Sequence, residues 1–314
     1  MDSSEVAILL DGIFEKAGFT NLEVRTCREE ILDAEWRGKA SFGLELVPEL
    51  VKIYAKKKGE PRLVRDTGAA MFIEGNDGPG PTVATYAMDL ALDAVERQGV
   101  IWVGVRNRWP WMTAGFHLRR AAQAGYLAMT WSAGVAIVAP YGGKRRVFGT
   151  NPFGWAAPSV KGPIVFDAAM TAGHASVLRD AKRQGVRLPE GVAIDVEGRP
   201  TRDPDEGREG AMLPIAGHRG TGLSMMIELF GGAWVGAKTG LRFKGSRGFV
   251  YVLATTGLFG FGDGFRNLAE GLVDDVQAAT EPGAAHIPGR PAADFSQPRE
   301  IDDGILARLH PLRP

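Results

Sequence analysis

The sequence predicts a mixed α/β fold, and three observations carry that expectation. Segments with helical apolar spacing alternate with short apolar runs of strand length. Glycine or proline stands at most junctions between them. The chain has 314 residues, 45% of them hydrophobic, enough to bury a sizeable core in two units.

The elements follow in order. Val6, Leu9, Leu10, Ile13 and Phe14 recur at helical spacing, with Ser3 or Ser4 to cap the start and Gly18 to end it. A second helix is expected within 24–36. A third begins at Pro48, a favoured first-turn residue, buries Leu50, Val51 and Tyr54, and stops at Gly59. Residues 75–81, Gly-Asn-Asp-Gly-Pro-Gly-Pro, read as a loop by composition. Residues 84–97 form a strong helix with Ala87, Met88, Ala91, Leu92 and Val95 on one face and Gly99 just beyond. A strand is expected at 100–105, a helix at 113–124 closed by Gly125, and strands at 127–131, 135–139 and 164–167. Residues 182–212 are polar and turn-rich, 222–237 an apolar helix, and 249–255 a buried strand. From Glu281 the chain is rich in Pro and Ala and is expected to wrap back over the body.

Charge and cysteine content narrow the classes. Lys and Arg total 37 and Asp and Glu total 37, so no net field favours nucleic acid or an anionic membrane. The clusters Lys56-Lys57-Lys58 and Lys144-Arg145-Arg146 read as solvated surface. Cys27 is the only cysteine, which rules out an intrachain disulfide and a zinc site built from several cysteines, and fits a reducing compartment. The acidic N-terminal opening is unlike a secretory signal. No apolar run reaches the ~20 residues of a bilayer span, since 222–237 is broken by Glu228 and glycines. A soluble cytoplasmic protein with a small-molecule substrate and no metal is expected.

No phosphate-binding P-loop and no Gly-x-Gly-x-x-Gly after a strand is present. Residues 257–264 are glycine-rich, but the spacing is wrong and no clear helix is expected directly after them. Several other segments, in order, resemble the type-2 malate/L-lactate dehydrogenase family. They are Ser41-Phe42-Gly43, Pro140-Tyr141-Gly142-Gly143, Gly149-Thr150-Asn151-Pro152 and Ile164-Val165-Phe166-Asp167. Ala193-Ile194-Asp195 leading to Pro200-Thr201 and Asp203-Pro204 follows, then Leu213-Pro214 with Gly217-His218-Arg219-Gly220 and Glu228, and finally Ile287-Pro288-Gly289.

The resemblance implies a non-Rossmann α/β unit binding NAD or NADP (71–264). It also implies a helical substrate and dimerisation unit made from both termini (1–70 with 265–314), in a homodimer. It places Ser132, Thr150, Asn151, Pro152, Asp167, Ala168, Ala169, Met170 and Thr171 along the cofactor. His218, Arg219, Gly220, Pro288, Gly289 and Arg290 join them. A helix starting near Gly220 would direct N–H groups and a positive dipole at a phosphate, with Arg219 where the family has Lys. Arg290 in place of the family's terminal acid slightly favours NADP. Taken singly, each glycine segment could equally serve a tight turn or close packing.

The sequence departs from the family where the chemistry is done. Phe42 takes the His position of Ser-His-Gly, Pro110 takes the His of the Arg-Asn-Ser-Asn-His-Phe-Gly segment, and Leu46 takes the carboxylate-gripping Arg. Ordinary lactate or malate dehydrogenation, which needs a proton acceptor near neutral pKa, is therefore disfavoured. Reduction of an imine or similar electrophile, in a specialised biosynthetic role, asks less of the protein. Ser41, Phe42, Leu46, Trp109, Pro110 and Trp111 are the candidate substrate-binding residues, the tryptophans offering faces to a cation or flat ring. Core or dimer-interface packing explains those tryptophans at least as well. The candidate catalytic groups are His117, Asp167 and Arg106, with Arg108 and His174 as alternates. Each has a plainer reading: a packed helix histidine, a capping aspartate, a structural ion pair. Two other functions stay open, a non-redox enzyme and a non-catalytic binding protein, and titration with nicotinamide cofactors separates them from a reductase.

Overall fold

The computed structural model describes residues 3–109, 113–174, 176–237, 239–242, 247–281, 284–290, 301 and 303–312. Helices α1 (Ser3–Lys16), α2 (Asn21–Trp36) and α3 (Val47–Tyr54) come first, the last two joined through the short turns Ala40–Phe42 and Leu44–Leu46. Thr20 and Glu23 close a reciprocal capping box at the start of α2, satisfying two donors the helix would otherwise leave open. Then follow β1 (Arg62–Asp66), β2 (Ala70–Gly78), α4 (Gly80–Gln98), β3 (Val100–Arg108), α5 (Ala114–Gln123) and β4 (Tyr126–Ser132). After them come β5 (Phe153–Ala157), β6 (Ile164–Ala168), α6 (Val177–Gln184), β7 (Ala193–Ile194), β8 (Pro200–Thr201), α7 (Pro204–Glu209) and β9 (Ala211–Met212). The chain continues with α8 (His218–Phe230), β10 (Arg247–Thr255), α9 (Gly262–Ala278) and α10 (Asp303–Leu309).

Seven strands form one sheet in the order β1-β2-β3-β10-β4-β5-β6, and β7, β8 and β9 form a small second one. Only β2 and β3 run parallel; every other pair is antiparallel. This order gathers the C-terminal ends of β2, β3, β4 and β6, and the beginnings of β5 and β10, at one end of the sheet. Helices α4 and α5 cover one face, burying Ile73, Ile101, Val103, Val105, Tyr251 and Leu253. Helix α8 lies on the other, over Trp131, Val250 and Val252. A separate core of Leu10, Phe14, Ile31, Leu44 and Leu50 unites α1–α3, and α10 closes it with Ile305 and Leu309.

Several expectations change. Residues 75–78 belong to β2, where the pairing with β3 jumps between Glu74 and Gly78. Asn76 and Asp77 there take φ values of 50° and 53°, so the turn-like composition marks a bulge. A Cβ on Gly75 would stand 2.6 Å from the Asn107 carbonyl, which is why glycine sits inside this strand. The 135–139 segment makes only isolated bridges, at Val138. The turn-rich 182–212 stretch holds the small sheet and α7. The helix expected at 222–237 begins earlier, at His218, and ends at Phe230 because Gly231 and Gly232 follow. A 17-residue helix, α9, starts inside the glycine-rich stretch, where its own glycines lower the helical signal. Residues 62–66 pair with β2, and Val273 of α9 packs on Ile164 and Ile287. Both segments therefore contact the sheet.

Candidate active site

The crowded end of the sheet is where the chain's chemistry collects. Met170 donates to the Thr150 carbonyl at 2.8 Å, and Ile215 donates to the Met170 carbonyl at 3.2 Å. Thr171 bridges to Pro214. The three motif segments around residues 150, 170 and 214 are thus stitched together by backbone bonds, directly before α8. Asn151 locks the first of them. It is fully buried in the left-handed region (φ 45°), and its amide donates to Ser224 O and to Glu228 Oε1 at 2.9 Å. Glu228 also accepts from the Gly149 and Gly240 N–H groups. No cation pairs with this buried carboxylate among the described residues; three N–H donors hold it.

At the start of α8, Gly217 turns the chain with φ 60° and His218 and Arg219 stand exposed. A Cβ on Gly220 would meet the Ile215 carbonyl at 2.0 Å, so only glycine lets the helix start so close to the preceding turn. No ion pair engages Arg219 among the described residues. An exposed first turn with an available guanidinium fits the phosphates of a nicotinamide cofactor. Pro288 and Gly289 run beside β6, where Pro288 O accepts from Val165 at 3.0 Å. Ser132 also sits at the crowded end, donating its N–H to Pro152 O, while its hydroxyl accepts from Arg108.

The candidate catalytic residues part company. Asp167, next to last in β6, faces α5; its Oδ2 accepts from Gly115 N at 2.9 Å and lies 3.5 Å from Lys39 Nζ. His117 is fully enclosed, and its Nε2 lies 3.0 Å from Glu30 Oε2. Glu30, equally buried, also takes the Thr113 N–H at 2.8 Å. This geometry makes His117 a tie between α2 and α5 and does not favour it as a proton donor to substrate. Arg106 points to the α8 face, bonded to Glu74 at 2.9 Å, and lines a cavity of about 420 Å³ with Phe72, Trp102 and Trp234. It is on the opposite side of the sheet from Asp167. His174 is exposed and bonded to Ser176.

Of the candidate substrate residues, Phe42, Leu46 and Trp109 are half-buried against the terminal helical core, and Ser41 lies in the short turn beside Phe42. Lys56 Nζ covers the Trp109 ring at 4.9 Å, so this chain's own cation already uses that face. Pro110 and Trp111 lie outside the described residues. Arg290 is held by Glu270 at 2.8 Å and by Ser159 and the Gly162 carbonyl. Its guanidinium is engaged in a structural network, which removes the physical argument that it selects NADP.

The sequence model of the malate/L-lactate dehydrogenase family matches residues 1–306. The chain belongs to that family. As a malate/L-lactate dehydrogenase family member it is an NAD(P)-dependent oxidoreductase. It is 31% identical over 295 residues to an L-sulfolactate dehydrogenase of Methanothermobacter thermautotrophicus, covering 88% of this chain and 86% of the relative. It is 28% identical over 295 residues to a Delta(1)-pyrroline-2-carboxylate reductase of Ancylobacter novellus, covering 89% and 86%. Among solved structures, a putative malate/lactate dehydrogenase from E. coli superposes with a TM-score of 0.90 at 25% identity, covering 99% of this chain and 93% of the other. The delta1-piperideine-2-carboxylate reductase of Pseudomonas syringae pvar. tomato gives 0.89 at 25% identity, with 98% of each chain covered.

Three residues at this end escape a reading by motif, and a fourth, Glu228, is read only in part. Lys39, two positions before Ser41, meets Asp167 across 128 residues of sequence. Glu30 stands on the buried stripe of α2, three residues after Cys27 and four before Ala34, so its burial is legible but its partner is not. Glu228 is visible in the motif, but its three donors are not. Arg247 opens β10 opposite Arg108. Nothing in local spacing signals the partners of Lys39, Glu30 or Arg247, because each depends on which elements become neighbours.

Proposed function

We propose that this family member reduces the C=N bond of a small cyclic imine bearing a carboxylate, in preference to 2-oxo acids. One observation carries the reading: Phe42 and Leu46, where the family has acid–base and carboxylate-binding side chains, are packed into the terminal helical core. With His117 enclosed against Glu30, no histidine stands beside Asp167 to move a hydroxyl proton among the described residues. A protonated imine needs no such group. The nicotinamide cofactor, when bound, supplies the hydride that adds to the imine carbon. The C=N π pair passes to the nitrogen, which already carries its proton, and a neutral amine results. Asp167, tied to the α5 N-terminus and near Lys39, orients and favours a cationic nitrogen; Arg219 and the α8 first turn hold phosphate. The reductases of pyrroline- and piperideine-2-carboxylate among the similar proteins support this reading.

The test compares initial rates of NADH and NADPH oxidation with five- and six-membered cyclic 2-imino acids and with pyruvate, oxaloacetate and sulfopyruvate. The imino acids are expected to exceed the oxo acids in kcat/KM by about 100-fold or more, the usual worth of one general acid–base group. Faster turnover of any oxo acid sinks the proposal.

We also infer a homodimer. Helix α8 and the turn after it expose Leu229 (58%) and Trp234 (61%), and the α9 side exposes Phe259 (87%), Phe261 (75%), Leu268 (70%) and Leu272 (64%). Apolar side chains exposed to this extent on both elements favour burial against a second copy. Light scattering should give twice 33.7 kDa; a monomer at micromolar concentration contradicts the inference. No helix among the described residues is long and apolar enough to cross a membrane.

A further inference from the structure

Two arginines face each other inside the sheet. The pairing of β3 with β10 passes from Val105↔Phe249 to Arg108↔Arg247, so β3 carries one extra residue across that step. Asn107 absorbs it with φ 56°, and the bulge turns Arg108 to the face opposite Arg106. Arg108 is 3% exposed; it donates to Ser132 Oγ and to the Trp109 carbonyl, and its guanidinium lies 5.4 Å from the Phe249 ring centroid. Arg247 is half-buried, its Nε has no hydrogen-bond partner, and no carboxylate pairs with it among the described residues. Directly opposed like charges destabilise a strand pair, and burial makes the cost larger. Burial, and then the charge of Arg247, push Arg108 down to about 9, so it stays cationic at neutral pH. Arg247 is lowered too, by burial. The carboxylates acting on the pair are Glu30 of α2 on Arg108 and Glu49 of α3 on Arg247. At the same end of the sheet, Trp109 Nε1 and Thr113 Oγ1 are also buried without a partner. Buried donors left open beside concentrated positive charge call for an anion.

We propose that Arg108 and Arg247 form a carboxylate-binding site that grips the acid group of the substrate. It would replace the grip lost at Leu46 from a different strand pair. The site lies at the sheet end that also holds Asp167, through Thr113 and Gly115 at the start of α5. This assignment rests on the reductase reading for its choice of anion, but binding alone tests it.

The probes are furan-2-carboxylate, a flat unreactive ring acid, and furan-2-carboxamide, its uncharged counterpart. Calorimetry is run with NADP+ present on the full chain, on Arg247→Gln and on Arg247→Lys. The wild type is expected to bind the carboxylate and not the amide. Arg247→Gln should weaken the carboxylate by roughly 30-fold or more, with Arg247→Lys between the two. Without ligand, Arg247→Gln should melt about 2 °C or more above the wild type, because like-charge repulsion is relieved. A structural arginine gives the opposite sign. Equal binding of carboxylate and amide, unchanged affinity in Arg247→Gln, or a lower Tm without ligand each overturns the site. A wild type that binds furan-2-carboxylate through Arg247 but reduces no imine keeps the site and removes the reductase reading. Imine reduction with a KM unmoved by Arg247→Gln does the reverse.

Discussion

Replacing Glu30 by leucine should lower the stability of this protein by about 3–5 kcal/mol, the cost of breaking a buried charge-assisted pair from one side. The carboxylate is fully buried and is the acceptor for Thr113 N and the partner of His117 Nε2. Leucine matches its volume and supplies no acceptor, so a backbone N–H and an imidazole edge lose their bonds in a place water does not reach. The contact joins α2 of the helical core to α5 on the sheet, and so the loss spreads across the packing of both units. Thermal unfolding should show a fall of roughly 10 °C. The double variant Glu30→Leu with His117→Phe should recover part of that loss, because it removes one stranded polar group together with its former partner. Equal unfolding temperatures for wild type and Glu30→Leu would falsify the role given to this pair. His117→Phe alone carries a second message: if it keeps imine turnover within a few-fold, the histidine is structural.

A Glu228→Ala variant should lose about 2–4 kcal/mol of stability and bind NADPH about tenfold or more weakly. The carboxylate accepts from Gly149, Asn151 and Gly240, and alanine leaves those donors buried and open. Asn151 is held in the left-handed region chiefly by that bond and by Ser224 O. Released, it relaxes toward ordinary backbone angles and carries Thr150 with it, breaking the bond from Met170 N that positions the segment after Asp167. Stability and cofactor affinity should therefore fall together. Melting curves and a fluorescence titration on the same preparation check both. Glu228→Gln serves as the milder control: it keeps one acceptor but points an NH2 group at an N–H donor. Cofactor affinity within twofold of wild type in Glu228→Ala removes the link between this carboxylate and the cofactor segment.

These two residues show how far local reading reaches. Helical spacing in 3–16 and 84–97, the glycine and proline punctuation, and the ordered motifs at 140–152, 193–204 and 213–228 are local properties. They appear in the structure as helices, turns and close approaches of backbone. The presence of Phe42 and Leu46 at their motif positions is equally legible, since identity at a position needs no coordinates. The bulge at 75–78 and helix α9 were misread for the same local reason: glycine and asparagine signal a left-handed or flexible backbone without saying whether a strand, a helix or a loop surrounds it.

What the sequence determined by itself, then, was the family and the class of fold, together with the motif positions, Phe42, Leu46 and Pro110, on which the proposed imine reduction is built. What only the tertiary structure decided was which charged groups meet. His117 faces Glu30 across 87 residues, Lys39 faces Asp167 across 128, and Arg247 opposes Arg108 through the insertion of β10 between β3 and β4. A charge on a helix or strand has the same local signature whether it faces water or a buried partner. The difference in energy comes from desolvation and from neighbours distant in sequence, and those exist only once the sheet has formed.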